Sequence, residues 1–557
     1  MMDQPVGRPT RSWGAFEPLK ERTFRTIWSS SLLSNFGVLI LGVGAAWEMT
    51  RITGSPAMVA LVQSALMLPS MLVSVPAGAV ADMFDRRKVA LAGLGFACAC
   101  ACLLTLLASL GFTTPWLLLA FCTLIGSGGS LYSPAWQASV REQVDPEHLP
   151  AAVALASVSY NIARSFGPAV GGVIVLVAGA RAAFGVNALG YLPLITAFFF
   201  WRRRPVSSRL PPERIDRAIV SGARYVVNAP PIRTVLVRAL VFGLCGASVS
   251  ALTPIVARDL LHGSAGTYGL LLGVYGAGAV VGALLISKVR ARLSAEPAVS
   301  LCAALTGLGI VTVGLSHHLL LTAAAMMLAG AAWMLLAAML NLGVQLSAPR
   351  WVTARALSLY QSSLTGGVAI GAAVWGHLAA SLGVGTTMVI SGTALILTPL
   401  LGLILPMPSV SPDENEPAEL RHEPEVALAL TARSGPIVIE IDYHVEPDQA
   451  RSFYGVMLKL QKSRRRNGAY HWSLARDIAD PALWTEAHHY PTWGDYLRQR
   501  DRLTQADIAL HAEARAFHMG ARGPLQVRRR LERPFGSVRW RADTPDPGTM
   551  PILPFTP

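Results

Sequence analysis

The chain has 557 residues, of which 52% are hydrophobic and 14% charged, with a formal net charge of +14 and a mean hydropathy of +0.44. A soluble domain carries about 25% charged residues, so this composition excludes a chain that lies in water throughout. The excess of cations invites a nucleic-acid reading, which their placement along the chain argues against below.

Residues 1–25 are polar, hold Arg8, Arg11, Lys20, Arg22 and Arg25, and show no small-residue cleavage pattern. The first apolar run is therefore expected to be a retained helix. A bilayer crossing takes about 20 helical residues. Suitable runs are predicted at 25–48, 56–80, 89–110, 114–136, 150–178 and 182–201, and again at 235–257, 266–288, 296–315, 319–345, 352–381 and 385–405. That makes about twelve, six and six. Alternate connections concentrate the cations: Arg86–Lys88, Arg141, the loop from Arg202 to Arg233, Lys288–Arg292, and Arg350 with Arg355. The opposite connections offer little beyond Arg51, Arg181 and Arg258. By the positive-inside bias both termini are expected to be cytoplasmic, and the cations mark a membrane face, not a nucleic-acid groove.

Within the middle loop, 214–227 mixes Ile215, Ile219, Val220, Val226 and Val227 with Arg217 and Arg224, the pattern of an interfacial amphipathic helix. The two halves resemble one another: Pro146–Pro150 and its helix align with Pro349–Thr353 and its helix, and Gly282–Lys288 repeats the Gly and cations that follow the second run. Such repeats suit two bundles related by an axis along the membrane normal. From Pro406 the chain becomes polar. Strands are expected at 437–445, 469–477, 484–490 and 525–531, with helices at 447–461 and 493–517. The order βαββαβ is the ferredoxin-like unit. All six cysteines (Cys98, Cys100, Cys102, Cys122, Cys245, Cys302) fall in apolar runs without metal-ligand spacing, so no metal or redox centre is expected. No P-loop occurs.

The turn between the second and third runs reads Gly78-Ala79-Val80-Ala81-Asp82-Met83-Phe84-Asp85-Arg86-Arg87-Lys88. It resembles the loop between helices 2 and 3 of the major facilitator superfamily, G-x-x-x-D-R-x-G-R-R/K. Gly78, Asp82, Arg86 and Arg87 match, while Met83 and Asp85 depart from it; a generic positively charged turn is the plain alternative. Further on, Gly167-Pro168-Ala169-Val170-Gly171-Gly172 resembles the helix-5 signature of that superfamily's exporters. The tail, with Arg464–Trp472, resembles the antibiotic-biosynthesis-monooxygenase-like domain of its transmembrane secretion effector branch, the enterobactin-exporter-like group. The resemblance implies an all-α polytopic membrane protein of about twelve transmembrane helices in two six-helix bundles, plus a C-terminal α+β ferredoxin-like cytoplasmic domain. The expected plan is 1–201 and 235–406 for the bundles, 202–234 for the middle loop, 407–435 for a linker, 436–535 for the domain and 536–557 for the end.

The resemblance further implies a secondary transporter in the bacterial inner membrane that exports a small molecule such as a drug, siderophore or other secondary metabolite. It would work by alternating access, driven by a proton gradient, without cofactor, and with dimerisation through the tail. In that frame Asp82 with Arg86, Arg87 and Lys88 forms a latch. Arg164, one helical turn after Asn161, lies about 21 Å into its helix; a cation there costs about 2.5–3.5 kcal/mol, so it faces a cavity or snorkels. Glu48 is a proton acceptor or simply the partner of Arg51. His471, Trp472, His488, His489 and Tyr490 line a cleft of the tail if that domain acts. Two other functions remain open: a membrane-tethered monooxygenase-like enzyme, and an importer.

Overall fold

The structure, a computed structural model, describes residues 16–145, 148–202, 224–349, 352–408, 426–428 and 430–532. Two compact units emerge, one drawn from 1–215, 236–340 and 358–406, the other from 216–235, 341–357 and 407–557.

Eleven helices among the described residues are long and apolar enough to cross a membrane. In chain order the helices are α1 (Arg22–Thr53), α2 (Pro56–Met83), α3 (Arg86–Ser109), α4 (Pro115–Ser139), α5 (Leu149–Phe200), α6 (Pro230–Ile255), α7 (Ala265–Arg292), α8 (Ala295–Leu315), α9 (Leu319–Ser347), α10 (Thr353–Leu382), α11 (Val384–Leu397) and the short α12 (Leu401–Ile404). Local chemistry sets their ends. Proline opens α2 and α4, the Asp85 carboxylate accepts from the Arg87 amide at the start of α3, and Ser264 with Thr267 forms a capping box for α7.

α5 is 52 residues long, about 78 Å if straight, against a hydrocarbon thickness of about 30 Å. It breaks at Gly179, whose φ of 78° is a left-handed conformation that glycine adopts without steric cost. Its two arms cover the fifth and sixth predicted crossings, joined without a loop, so eleven long apolar helices stand where about twelve runs were expected. Helices meet through small residues, with Gly93 against Gly128, Gly307 against Gly392 and Gly314 against Gly385, the close packing expected where no hydrophobic force drives association. Side chains such as Val177 and Leu320 point outward, as lipid-facing residues do.

The tail belongs to the second unit. It runs β1 (Ile437–His444), α13 (Ala450–Arg466), β2 (Tyr470–Arg476), β3 (Leu483–Tyr490), α14 (Trp493–Asp501), α15 (Gln505–Ala516) and β4 (Gln526–Leu531). The sheet is antiparallel in the order β2-β3-β1-β4, with Ile439 opposite both His488 and Arg529. Alternation puts Ile437, Ile439, Ile441 and Tyr443 under Phe453, Val456, Met457 and Leu460 of α13. The other face is charged, with Arg528 2.8 Å from Asp442 and Arg530 3.1 Å from Glu440. The single helix expected at 493–517 is instead two, because Thr504 and Asp507 form a capping box that starts a new helix. Of the amphipathic segment expected at 214–227, only 224–227 lie among the described residues; they are helical.

Candidate functional site

At the α2–α3 turn, Gly78 and Asp82 sit in the last turns of α2; their side chains, like that of Asn161, lie outside the described residues. Arg86 reaches Glu142, just beyond α4, at 2.9 Å. Arg87 donates to the Phe199 carbonyl and lies over its ring, while Lys88 is exposed. These pairs tie α3 to α4 and to the second arm of α5, all within the first half. Glu142 and Phe199 were not legible as partners, being 56 and 112 residues away from the cations they meet.

The glycines of the exporter-like motif divide between two neighbours. Gly167 faces Leu39 and Gly171 faces Ile40 and Val43, all on α1, whereas Gly172 packs directly on Gly269 of α7 in the other half. A Cβ at Gly172 would stand 2.3 Å from the Gly269 Cα, so only glycine fits without movement. Pro168, between them, stays within the helix. Neighbouring contacts extend this seam. Leu176 meets Gly266, Ala169 meets Gly273, Trp47 stacks on Tyr268 at 6.3 Å, and Gly376 of α10 packs on Ala60 of α2. Arg258, past α6, donates to the carbonyls of Thr50 and Gly54 at the end of α1.

Deeper in the seam, Ser64 donates to the Ala369 carbonyl at 2.7 Å and Met71 touches Gly366. Here also lies Arg164, half-buried, with a guanidinium nitrogen 3.3 Å from the Met334 sulfur of α9. Tyr275 of α7 and Tyr360 of α10 are close enough to feel its charge. The cation therefore reaches across the seam to α9, with α7 and α10 beside it. Glu48 does not join it. Its carboxylate is paired with Arg51 on the same helix at 2.6 and 3.0 Å.

A buried charge pair escaped sequence reasoning. Arg238, fully buried in α6, holds both oxygens of Glu296 at the start of α8, at 2.5 and 2.9 Å, and the Leu405 carbonyl after α12 at 3.1 Å. Its sequence signal was only an arginine about one turn into an apolar run.

In the tail, His488 and Tyr490 share the helix-covered face of β3, with His489 opposite. They are 1% exposed, so they are core residues and do not line an open cleft. Beside them Glu486 accepts from Arg464 and from the Trp472 indole, both at 3.0 Å. Burial opposes the Glu486 charge, yet Arg464, His488 and Trp472 hold its pKa down to about 2. Burial, then the Arg464 charge, brings both His488 and His511 down to about 3. Next to this cluster Arg466 pairs with Asp507 at 2.6 Å and lies over the ring of Tyr225, a middle-loop residue that is 2% exposed. Arg224 reaches the Gly468 carbonyl. No group of three metal-ligating side chains occurs among the described residues.

The pattern described for transmembrane secretion effectors matches residues 13–535. The chain belongs to this family. An uncharacterised MFS-type transporter of Bacillus subtilis, YfiS, is 24% identical over 69% of this chain and 93% of its own. The staphyloferrin A transporter of Staphylococcus aureus is 25% identical over 47% of this chain and 66% of its own. Among solved structures, a bacterial homologue of the lysosomal transporter Spinster superposes with a TM-score of 0.55 at 15% identity, over 70% of this chain and 96% of that one. The POT family transporter PepTSo does so with 0.56 at 13%, over 69% and 97%. The secretion effector is thus a multi-pass membrane transporter of the MFS type; its family and relatives are transporters, not enzymes.

Proposed function

We propose that the protein exports a small molecule from the cytoplasm by alternating access across a bacterial inner membrane, with both termini cytoplasmic and a proton gradient as the energy source. The observation that carries this is where the halves meet. Among the described residues, the contacts named between α1, α2 and α5 of the first half and α7, α9, α10 and Arg258 of the second lie between one set of helix ends and about mid-helix. The cation distribution makes those ends the outer ones, so the described state is closed outside, ready to load from within. Gly172 on Gly269 is the point of closure, and the exporter-like motif around it favours outward transport. The staphyloferrin A transporter among the relatives favours a siderophore-sized cargo.

The tail is then a ferredoxin-like cytoplasmic module, supported by the strand order β2-β3-β1-β4. Its grip on Tyr225 links it to the connection between the halves, a regulatory position; dimerisation would use its strand edges, since the open sheet face is charged. The test is accumulation of a panel of labelled compounds in inverted vesicles, with and without an imposed pH gradient. Gradient-driven uptake supports export. Uptake only in right-side-out vesicles would make the protein an importer and overturn the reading.

A further inference from the structure

Arg164 carries five N–H donors and a permanent charge, and its single hydrogen-bond acceptor among the described residues is a thioether, a weak one. No carboxylate pairs with it there. The sequence explains why. Between residues 149 and 405 the only acidic residues are Glu213, Asp216, Asp259 and Glu296. Asp259 pairs with Arg258 and Glu296 holds Arg238, while Glu213 and Asp216 belong to the middle loop. In the first half Glu48 is taken by Arg51. Asp85 caps α3, Glu142 holds Arg86, and among the described residues a guanidinium deep in a membrane helix thus has no counter-charge at that depth.

Such a cation is retained where something else completes it. The surroundings fit a ligand more than a structural role. Tyr360 donates its hydroxyl to the Ala337 carbonyl at 2.9 Å, leaving oxygen lone pairs, and fixes α10 to α9 one turn from Met334. The Tyr275 hydroxyl has no hydrogen-bond partner among the described residues, so it can donate to the same ligand. Met334 offers a polarisable, adaptable wall. Resting on the export reading, we infer that the transported substrate is an organic anion whose carboxylate is clasped by Arg164, with Tyr275 donating a second hydrogen bond and Met334 and Tyr360 packing against its apolar or aromatic body. The planar guanidinium matches two carboxylate oxygens at once, and the substrate brings the charge the helix lacks. Translocation then alternates a paired and an unpaired cation, so loading lowers the electrostatic barrier that the empty carrier faces.

The test uses the full-length protein in lipid nanodiscs, read by thermal shift at constant ionic strength. The probes are citrate, 2,3-dihydroxybenzoate, benzenesulfonate and inorganic phosphate, with the methyl esters of the two carboxylic acids as neutral controls. Stabilisation by at least one carboxylate and not its ester is expected, with affinity about tenfold to a hundredfold weaker in Arg164→Gln and partly kept in Arg164→Lys. Phosphate acting better than either carboxylate, esters acting as well as acids, no response to any probe, or an unaltered response in Arg164→Gln would each overturn the assignment. Binding in nanodiscs is independent of direction. Anion binding without vesicle accumulation would sink export and leave the site; accumulation of neutral compounds untouched by Arg164→Gln would sink the site and leave export.

Discussion

Alanine at Gly172 is the sharpest perturbation of the seam. The added methyl would stand 2.3 Å from the Gly269 Cα, where ordinary contact begins at 3.4 Å, and the listener on the other side is backbone with no rotamer to yield. α5 and α7 must part by about 1 Å. Overpacking of this kind costs about 1–3 kcal/mol, which is about a 5- to 150-fold loss in the population of the state in which this seam is closed. A disulfide between cysteines placed at Leu176 and Gly266, neighbours in this state, reports that population, with single-cysteine controls correcting for the six native thiols. The yield should fall at least fivefold in Gly172→Ala. It should not move in Gly129→Ala, where the methyl would meet open space. A yield in Gly172→Ala within twofold of its parent would refute the close crossing as the point of closure.

Glu296→Gln strands the fully buried Arg238, and should lower thermal stability by about 2 kcal/mol or more; a double replacement by leucine should recover much of it, as followed by melting in detergent. The tail should be acid-sensitive. His488 and His511 titrate at about 3 when folded but near 6.5 when unfolded, so their contribution is complete above 6.5 and drains away as the pH drops toward 3, with Glu486 adding its loss only below about 4.5. Hydrogen exchange of the β1 amides, corrected for intrinsic rate, should rise through that window. His511→Gln should move the rise to lower pH, and an unchanged profile would remove the histidines from the cause. Tyr225→Ala empties a buried site next to Arg466 and should cost the tail about 3 kcal/mol, seen as faster proteolysis of 437–531 while the helical part stays intact.

What could be read in advance was periodic or compositional. Crossings announced themselves through apolar runs, and the tail strands through alternation, because each depends on neighbours a few residues away. Gly179 could be read only as a boundary, since nothing local says that a helix will resume after one residue. The split at Thr504 was written in Thr504-Gln505-Ala506-Asp507 as a capping box, yet the amphipathic stripe running through it masked the signal. Arg164 stood out because a lone cation in an apolar run is costly, but its neighbours Met334, Tyr275 and Tyr360 lie on three other helices. The same holds for Arg86 and Glu142: charge reveals that a partner is needed, and only the fold reveals which one.

Tyr225 bears on how such a protein could be assembled or taken apart. A domain that travels between proteins brings its whole interior with it. This one borrows an aromatic ring from a stretch more than 200 residues upstream, so cutting the chain at Pro406 would leave the excised piece with a hole beside a paired arginine and aspartate. Middle loop and tail are then one inheritance: a substitution at position 225 is felt at 466 and 507, and a tail transplanted onto a related transporter should need this short upstream segment to come along.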